Sequence, residues 1–111
     1  MQFDLWLADL NPRFGTEAGK TRPVLIIQTD LLNKVHPSMV ICPITTNVNS
    51  QTALLRVNLP KDQFGLKKES SVMIDQIRAI DNKRLLKRIG SLSEAYQTLV
   101  AANLKIVLGI E

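Results

Sequence analysis

From Phe3 to Leu10 the chain alternates, with Phe3, Leu5 and Leu7 on one side and Asp4, Trp6 and Ala8 on the other, until Asn11-Pro12 breaks the pattern. Period-two alternation predicts a first strand. Residues 11–21 (NPRFGTEAGKT) hold two Gly, one Pro and several small polar side chains, which predicts a long loop. A loop of that length in so short a chain is a place to look for function. Pro23 to Gln28 (PVLIIQ) and Met39 to Ile44 (MVICPI) are short β-branched runs, predicted to be strands covered on both faces, with Pro43 marking an edge or a bulge. Leu54 to Leu59 predicts a further strand, Ser71 to Ile80 a longer strand or a bent pair, and Arg88 to Leu92 one more.

Near the C-terminus the period changes. Ser91-Leu-Ser-Glu94 has the capping-box pattern, predicting a helix that starts just after it. Leu92, Tyr96, Leu99, Val100 and Asn103 then recur at helical spacing, and Ile106, Val107, Leu108 and Ile110 make the end apolar on several sides. Such an end needs more cover than one small sheet offers, which predicts association of subunits. With 111 residues, no repeat and no linker, residues 1–111 form one domain of a mainly β (α+β) class.

Composition narrows the function. Hydrophobic residues at 45% and charged residues at 22% fit a globular fold and exclude disorder as the main state. The single Cys42 and single His36 cannot make an intrachain disulfide or a zinc site, so neither a metal nor a cofactor is expected. No apolar run reaches the ~20 residues of a membrane span, and Asp4 and Asp9 interrupt any secretion signal, so a cytoplasmic location is expected. The net charge of +4 is uneven: residues 1–50 are balanced, whereas residues 51–90 carry +5. A basic half is compatible with phosphate contacts or with an ordinary solvated surface.

Among residues that could carry chemistry, the Gly15 to Thr21 stretch resembles a phosphate-binding Walker loop. It fails on spacing, with three residues between the glycines instead of four, and a strand rather than a helix follows. His36 is expected in a turn, Cys42 as a buried thiol, and Trp6 mainly as a packing residue. The polar clusters that remain are Glu17 to Arg22, Thr45-Thr46-Asn47, and Asp75-Gln76 with Arg78. Each sits by an apolar strand, and strand ends can converge on one cleft. Asp75 equally fits a structural ion pair with a neighbouring Arg, Arg22 fits pairing or function, and Thr45 and Thr46 are also ordinary strand formers.

Taken together, DLWLADLNP, GTEAGKTRPVLIIQ, HPSMVICPITTN, SVMIDQIRAID and the closing RIGSLSE resemble the MazF/PemK family of toxins from bacterial toxin–antitoxin systems, in order over essentially the whole chain. The resemblance implies a small SH3-like β-barrel with a C-terminal helix, a homodimer, and a metal-independent endoribonuclease acting on single-stranded RNA in the bacterial cytoplasm. It also implies a cognate MazE-like antitoxin whose tail covers the RNA groove. Carried over residue by residue, it makes Arg22 and Thr45 catalytic and assigns substrate binding to Glu17, Thr46, Asp75 and Gln76. The chain departs from the family at Phe3, where Gly is usual, at Ala18, where Gln is frequent, and at Met73, where some members carry a catalytic arginine.

The implied chemistry suits these side chains. Cutting RNA without metal requires removal of the 2′-OH proton, stabilisation of a five-coordinate phosphorus and protonation of the leaving 5′-oxygen. An arginine fork binds two phosphate oxygens at once, and a threonine hydroxyl can donate to a non-bridging oxygen. Arginine is a poor proton-transfer group, which leaves Glu17 and Asp75 as alternative bases. The competing readings are a CcdB-like toxin that inhibits gyrase without enzymatic action and an inactive homologue.

Overall fold

The computed structural model describes residues 1–12, 15–16, 19–48 and 55–111. Its strands are β1 (Asp4–Asp9), β2 (Thr21–Ile26), β3 (Ser38–Thr45), β4 (Arg56–Leu59), β5 (Ser70–Met73), β6 (Arg78–Asp81) and β7 (Leu85–Ser91), followed by helix α1 (Glu94–Leu108). All the described ladders are antiparallel, in the order β4-β5-β3-β2-β1-β7, with β6 pairing to β3. The mainly β architecture with one C-terminal helix is the expected class.

β3 organises the molecule by changing partners along one edge. Its first half pairs with β6, from Ser38↔Asp81 to Ile41↔Arg78, and its end pairs with β5 through Ile44↔Val72 and Thr45↔Ser71. Pro43 lies between the two sets of partners, where a residue without an N–H is tolerated. The Ser71 to Ile80 run is accordingly a bent pair: β5, a 3-10 turn at Ile74–Gln76, and β6. Because the sheet is covered on both faces, two apolar clusters form. One holds Leu5, Leu25, Cys42, Ile44, Val72 and Val100, and the other Ala8, Val24, Ile26, Ile41, Met73 and Ile80 with Trp6 packed against it. Cys42 and Trp6 therefore take the packing places expected of them.

Two expectations need correcting. Among the described residues no ladder joins β4 to β7, so the barrel is not closed by hydrogen bonds. Instead the turn at Phe64 and Gly65 lies directly on Ile89 and Gly90 of β7, and a Cβ on either glycine would collide with backbone of the other segment. Gly65 also has φ +84°, a region that favours glycine. The second correction concerns the helix start. Ser91 is the last residue of β7, paired with Asp4, so its side chain is not a cap. The N-cap is Ser93, whose carbonyl accepts from the Gln97 N–H at 3.0 Å.

The helix ends on Gly109 in the left-handed region, with the Ile110 N–H donating to the Lys105 carbonyl at 3.0 Å. Leu92 and Val100 are buried as the spacing predicts, and Tyr96 meets Phe64 edge-on at 5.3 Å between ring centroids. Leu99, predicted on the covered face, is 51% exposed, and Ile106 and Ile110 are also exposed. No helix among the described residues is long and apolar enough to cross a membrane.

Candidate functional site

The site is built where β2 begins and β3 ends. The loop after β1 is pinned by Asn11, whose Oδ1 accepts from the Lys20 N–H at 2.8 Å, and by the Leu10 N–H, which donates to the Lys20 carbonyl at 2.9 Å. Lys20 itself has φ 68°, a turn that delivers the chain into β2 one residue later. Arg22 follows, half-buried, and its Nε donates to the Gly19 carbonyl at 2.7 Å.

β2 pairs with β3 through Val24↔Pro43, Leu25↔Cys42 and Ile26↔Ile41. Continuing that register by two residues sets Arg22 opposite Thr45 on one face of the sheet. Both line a single cleft of about 350 Å³ with Lys20, Pro23, Thr46 and Asn47. Thr45 Oγ1 accepts from the Asn47 N–H at 3.1 Å, which shapes the turn after β3. The structure thus brings together Arg22, Thr45 and Thr46.

Asp75 and Gln76 lie elsewhere. The 3-10 turn carries them into a separate cleft of about 330 Å³ with Thr16, Ile77 and Arg78, which corrects the expectation of one common cleft. Gln76 Nε2 donates to the Thr16 carbonyl at 3.0 Å, so the β1–β2 loop touches both clefts. Asp75 pairs with Arg56 of β4, Nε to Oδ1 at 3.3 Å. The partner of the Asp75 ion pair was missed in the sequence; a cation in a short apolar strand, as in RVNL, was the available signal. Glu17 and Ala18 lie outside the described residues.

One polar group, Ser71, escaped sequence reasoning, whereas Arg78 belongs to the cluster the sequence singled out with Asp75 and Gln76. Ser71 stands across from Thr45 in the β3–β5 ladder, and its buried hydroxyl has no hydrogen-bond partner among the described residues. Arg78 Nη1, beside Asp75 and Gln76, is likewise buried and unpartnered. Met73 is 5% exposed within the second apolar cluster, so this position contributes packing.

Burial pushes the Cys42 thiol up to about 12, with the charge of Asp75 adding to it, and leaves Cys42 without nucleophilic character. Asp4 is different. Burial raises its pKa, but hydrogen bonds from Arg88 and the Met1 amino group, together with their charges, outweigh it and hold the carboxyl below its ordinary value. His36 is exposed in a turn, its Nδ1 beside the Ser38 backbone. Among the described residues no three His, Cys, Asp or Glu side chains are grouped as a metal site would need.

A protein named Endoribonuclease MazF from Staphylococcus epidermidis is 39% identical over 107 residues, covering 96% of this chain and 89% of that protein. MazF from Deinococcus radiodurans superposes with a TM-score of 0.84 at 24% identity, over 98% of this chain and 96% of that one. A mycobacterial structure described as an endoribonuclease in complex with its cognate antitoxin superposes with a TM-score of 0.78 at 18% identity, over 100% of this chain and 94% of that one. At those identities the two structures speak for the fold alone. Residues 1–108 match the family described as PemK-like, MazF-like toxin of type II toxin-antitoxin system, and the chain belongs to that family.

Proposed function

We infer that this toxin is a metal-independent endoribonuclease that cuts single-stranded RNA, including mRNA, at Arg22 and Thr45. The observation that carries the reading is their placement opposite one another at the rim of one cleft. The substrate 2′-OH gives up its proton as its oxygen attacks the adjacent phosphorus, the bond to the 5′-oxygen breaks as that oxygen takes up a proton, and the products are a 2′,3′-cyclic phosphate and a 5′-hydroxyl. Two negative charges accumulate on the non-bridging oxygens as phosphorus becomes five-coordinate. Arg22, oriented through its Nε bond to Gly19, stabilises that charge, and the Thr45 hydroxyl donates to one of the oxygens.

Thr46 borders the same cleft, and Asp75 and Gln76 hold a flanking nucleotide in the second cleft, to which the β1–β2 loop extends. The ion pair with Arg56 keeps the Asp75 carboxylate in that second cleft, which favours substrate binding over proton removal at Arg22. Glu17 belongs, by its place in the family motif, to the substrate-binding set. The requirement for a 2′-OH makes DNA resistant.

The protein acts in the bacterial cytoplasm as a homodimer, with the exposed Leu99, Ile106 and Ile110 of α1 available for subunit contact, and a cognate MazE-like antitoxin inhibits it. The gyrase-inhibitor reading gives no role to an arginine and a threonine paired in one cleft. Incubating the purified protein with a long RNA in EDTA and mapping both ends tests the proposal. Cyclic phosphate and 5′-hydroxyl ends at recurring short sequences are expected; intact RNA, or cutting that requires added magnesium, overturns it.

A further inference from the structure

A cleft of about 660 Å³ lies beside the one that holds Arg22 and Thr45. One wall comes from the β4–β5 connection and carries Lys67 and Lys68; the opposite wall is β7 and carries Lys87 and Arg88. All four side chains are exposed, and among the described residues no acidic side chain lines the trough. Its floor is apolar, set by Leu7, Leu66 and Ile89. Pro23↔Leu7 and Leu7↔Lys87 are cross-strand pairs, so one row of side chains runs from β2 across β1 to the cationic wall. Pro23 and Thr46 line this trough and the Arg22–Thr45 cleft alike, so the two are continuous.

Arg88 is held by Asp4, with Nε 3.1 Å from Oδ2 and Nη2 3.4 Å from Oδ1, which fixes its place on the wall. Among the described residues the three lysines have no such acid across from them in the trough, and each carries a charge at the end of a flexible stem. An apolar floor between cationic walls suits a chain that presents flat ribose and base faces together with one negative charge per unit.

We propose that the trough formed by Lys67, Lys68, Lys87 and Arg88 binds the sugar-phosphate backbone of single-stranded RNA flanking the cleaved linkage. The proposal rests on the endoribonuclease reading, and it adds a sequence-independent contact surface outside the reacting atoms. It places RNA in the trough in preference to an acidic peptide, because the trough opens directly onto the cleft assigned to the scissile phosphate.

The test uses full-length protein and two oligonucleotides built around a mapped cut site, one minimal and one extended by six nucleotides on each side. The sugar at the cut is 2′-deoxy, so binding is read without cleavage, by anisotropy across a salt series. Wild type binds the extended oligonucleotide more tightly than the minimal one. The triple variant Lys67→Ala/Lys68→Ala/Lys87→Ala loses that gain, by roughly one to two orders of magnitude at 0.15 M salt, and its salt slope falls by about 2, given about 0.7 per single-strand phosphate contact. Cleavage of the minimal all-ribose substrate stays near wild type in this variant and is lost in Arg22→Ala.

An unchanged salt slope overturns the trough assignment. So does a triple variant that changes sedimentation, or that loses affinity for an oligoglutamate peptide, while keeping its grip on extended RNA. If Arg22→Ala still cuts the minimal substrate yet the triple variant loses the slope, the catalytic reading fails and the trough assignment stands.

Discussion

Arg22 and Gly19 are joined by a hydrogen bond of 2.7 Å from the arginine Nε to the glycine carbonyl, made across the turn that leads into β2. A bond through Nε fixes the plane of the guanidinium and hence the direction of its terminal nitrogens. Arg22→Ala should leave the fold intact and lower cleavage by two to three orders of magnitude, the usual loss for one transition-state donor. Arg22→Lys keeps the charge but has no Nε and no fork, so it should recover little of the loss. Single-turnover cleavage with a circular-dichroism check reads both; near-normal rates in a folded alanine variant remove Arg22 from the mechanism.

Thr45→Val preserves shape and deletes the hydroxyl. Cleavage should fall by about two orders of magnitude, whereas Thr45→Ser should retain most of it. The valine also leaves the Asn47 N–H without its side-chain acceptor, at a cost of about 1 kcal/mol in stability. Urea unfolding beside cleavage separates the two effects: full activity in Thr45→Val excludes the proposed donor.

The Asp4 carboxyl is held below its ordinary pKa by Arg88 and the Met1 amino group, so its contribution to stability has a definite sign. It is fully present above the unfolded-state value, about 3.9, and is lost as pH falls through the lower folded-state value. Unfolding midpoints of wild type and Asp4→Asn should therefore differ at pH 6 and converge towards pH 3. Parallel curves down to pH 3 contradict the ion-pair account.

Cys42 is fully buried and its thiol is pushed up to about 12. At pH 8 it should react with an aromatic disulfide reagent orders of magnitude more slowly than a free thiol, and at full speed once urea unfolds the chain. Rapid labelling of the folded protein places Cys42 at the surface.

What could be read from the sequence was whatever depends on neighbours along the chain. The period-two alternation marks β1 as a strand, the apolar runs mark β2 and β3 because both of their faces are covered, and Arg22 and Thr45 sit at ends those runs define. Phe3 adds a case in which the family pattern has a visible cause. It occupies φ 68°, a conformation that costs a non-glycine residue about 1 kcal/mol or more, and its ring packs on the core instead. The rest depends on distance in space. Ser91 fitted a capping box, but the β1–β7 ladder claimed it for a strand. Asp75-Gln76 looked like part of the Arg22 cleft, yet the change of partners along β3 and the following 3-10 turn direct both into another. The Asp75 partner, Arg56, reaches it from a different strand.

The two glycines where Phe64–Gly65 rests on Ile89–Gly90 also govern the width of the basic trough. Gly65 leads directly to Lys67 and Lys68, and Gly90 follows Lys87 and Arg88, so the facing cations stand on segments in backbone-to-backbone contact. The spacing of the two backbone segments that carry them is set by main-chain atoms that have no rotamers to change, and neighbouring side chains cannot tune it by repacking. A single added methyl at Gly90 would act as a wedge between the two walls, moving apart the segments that carry four charges without altering any of those charges.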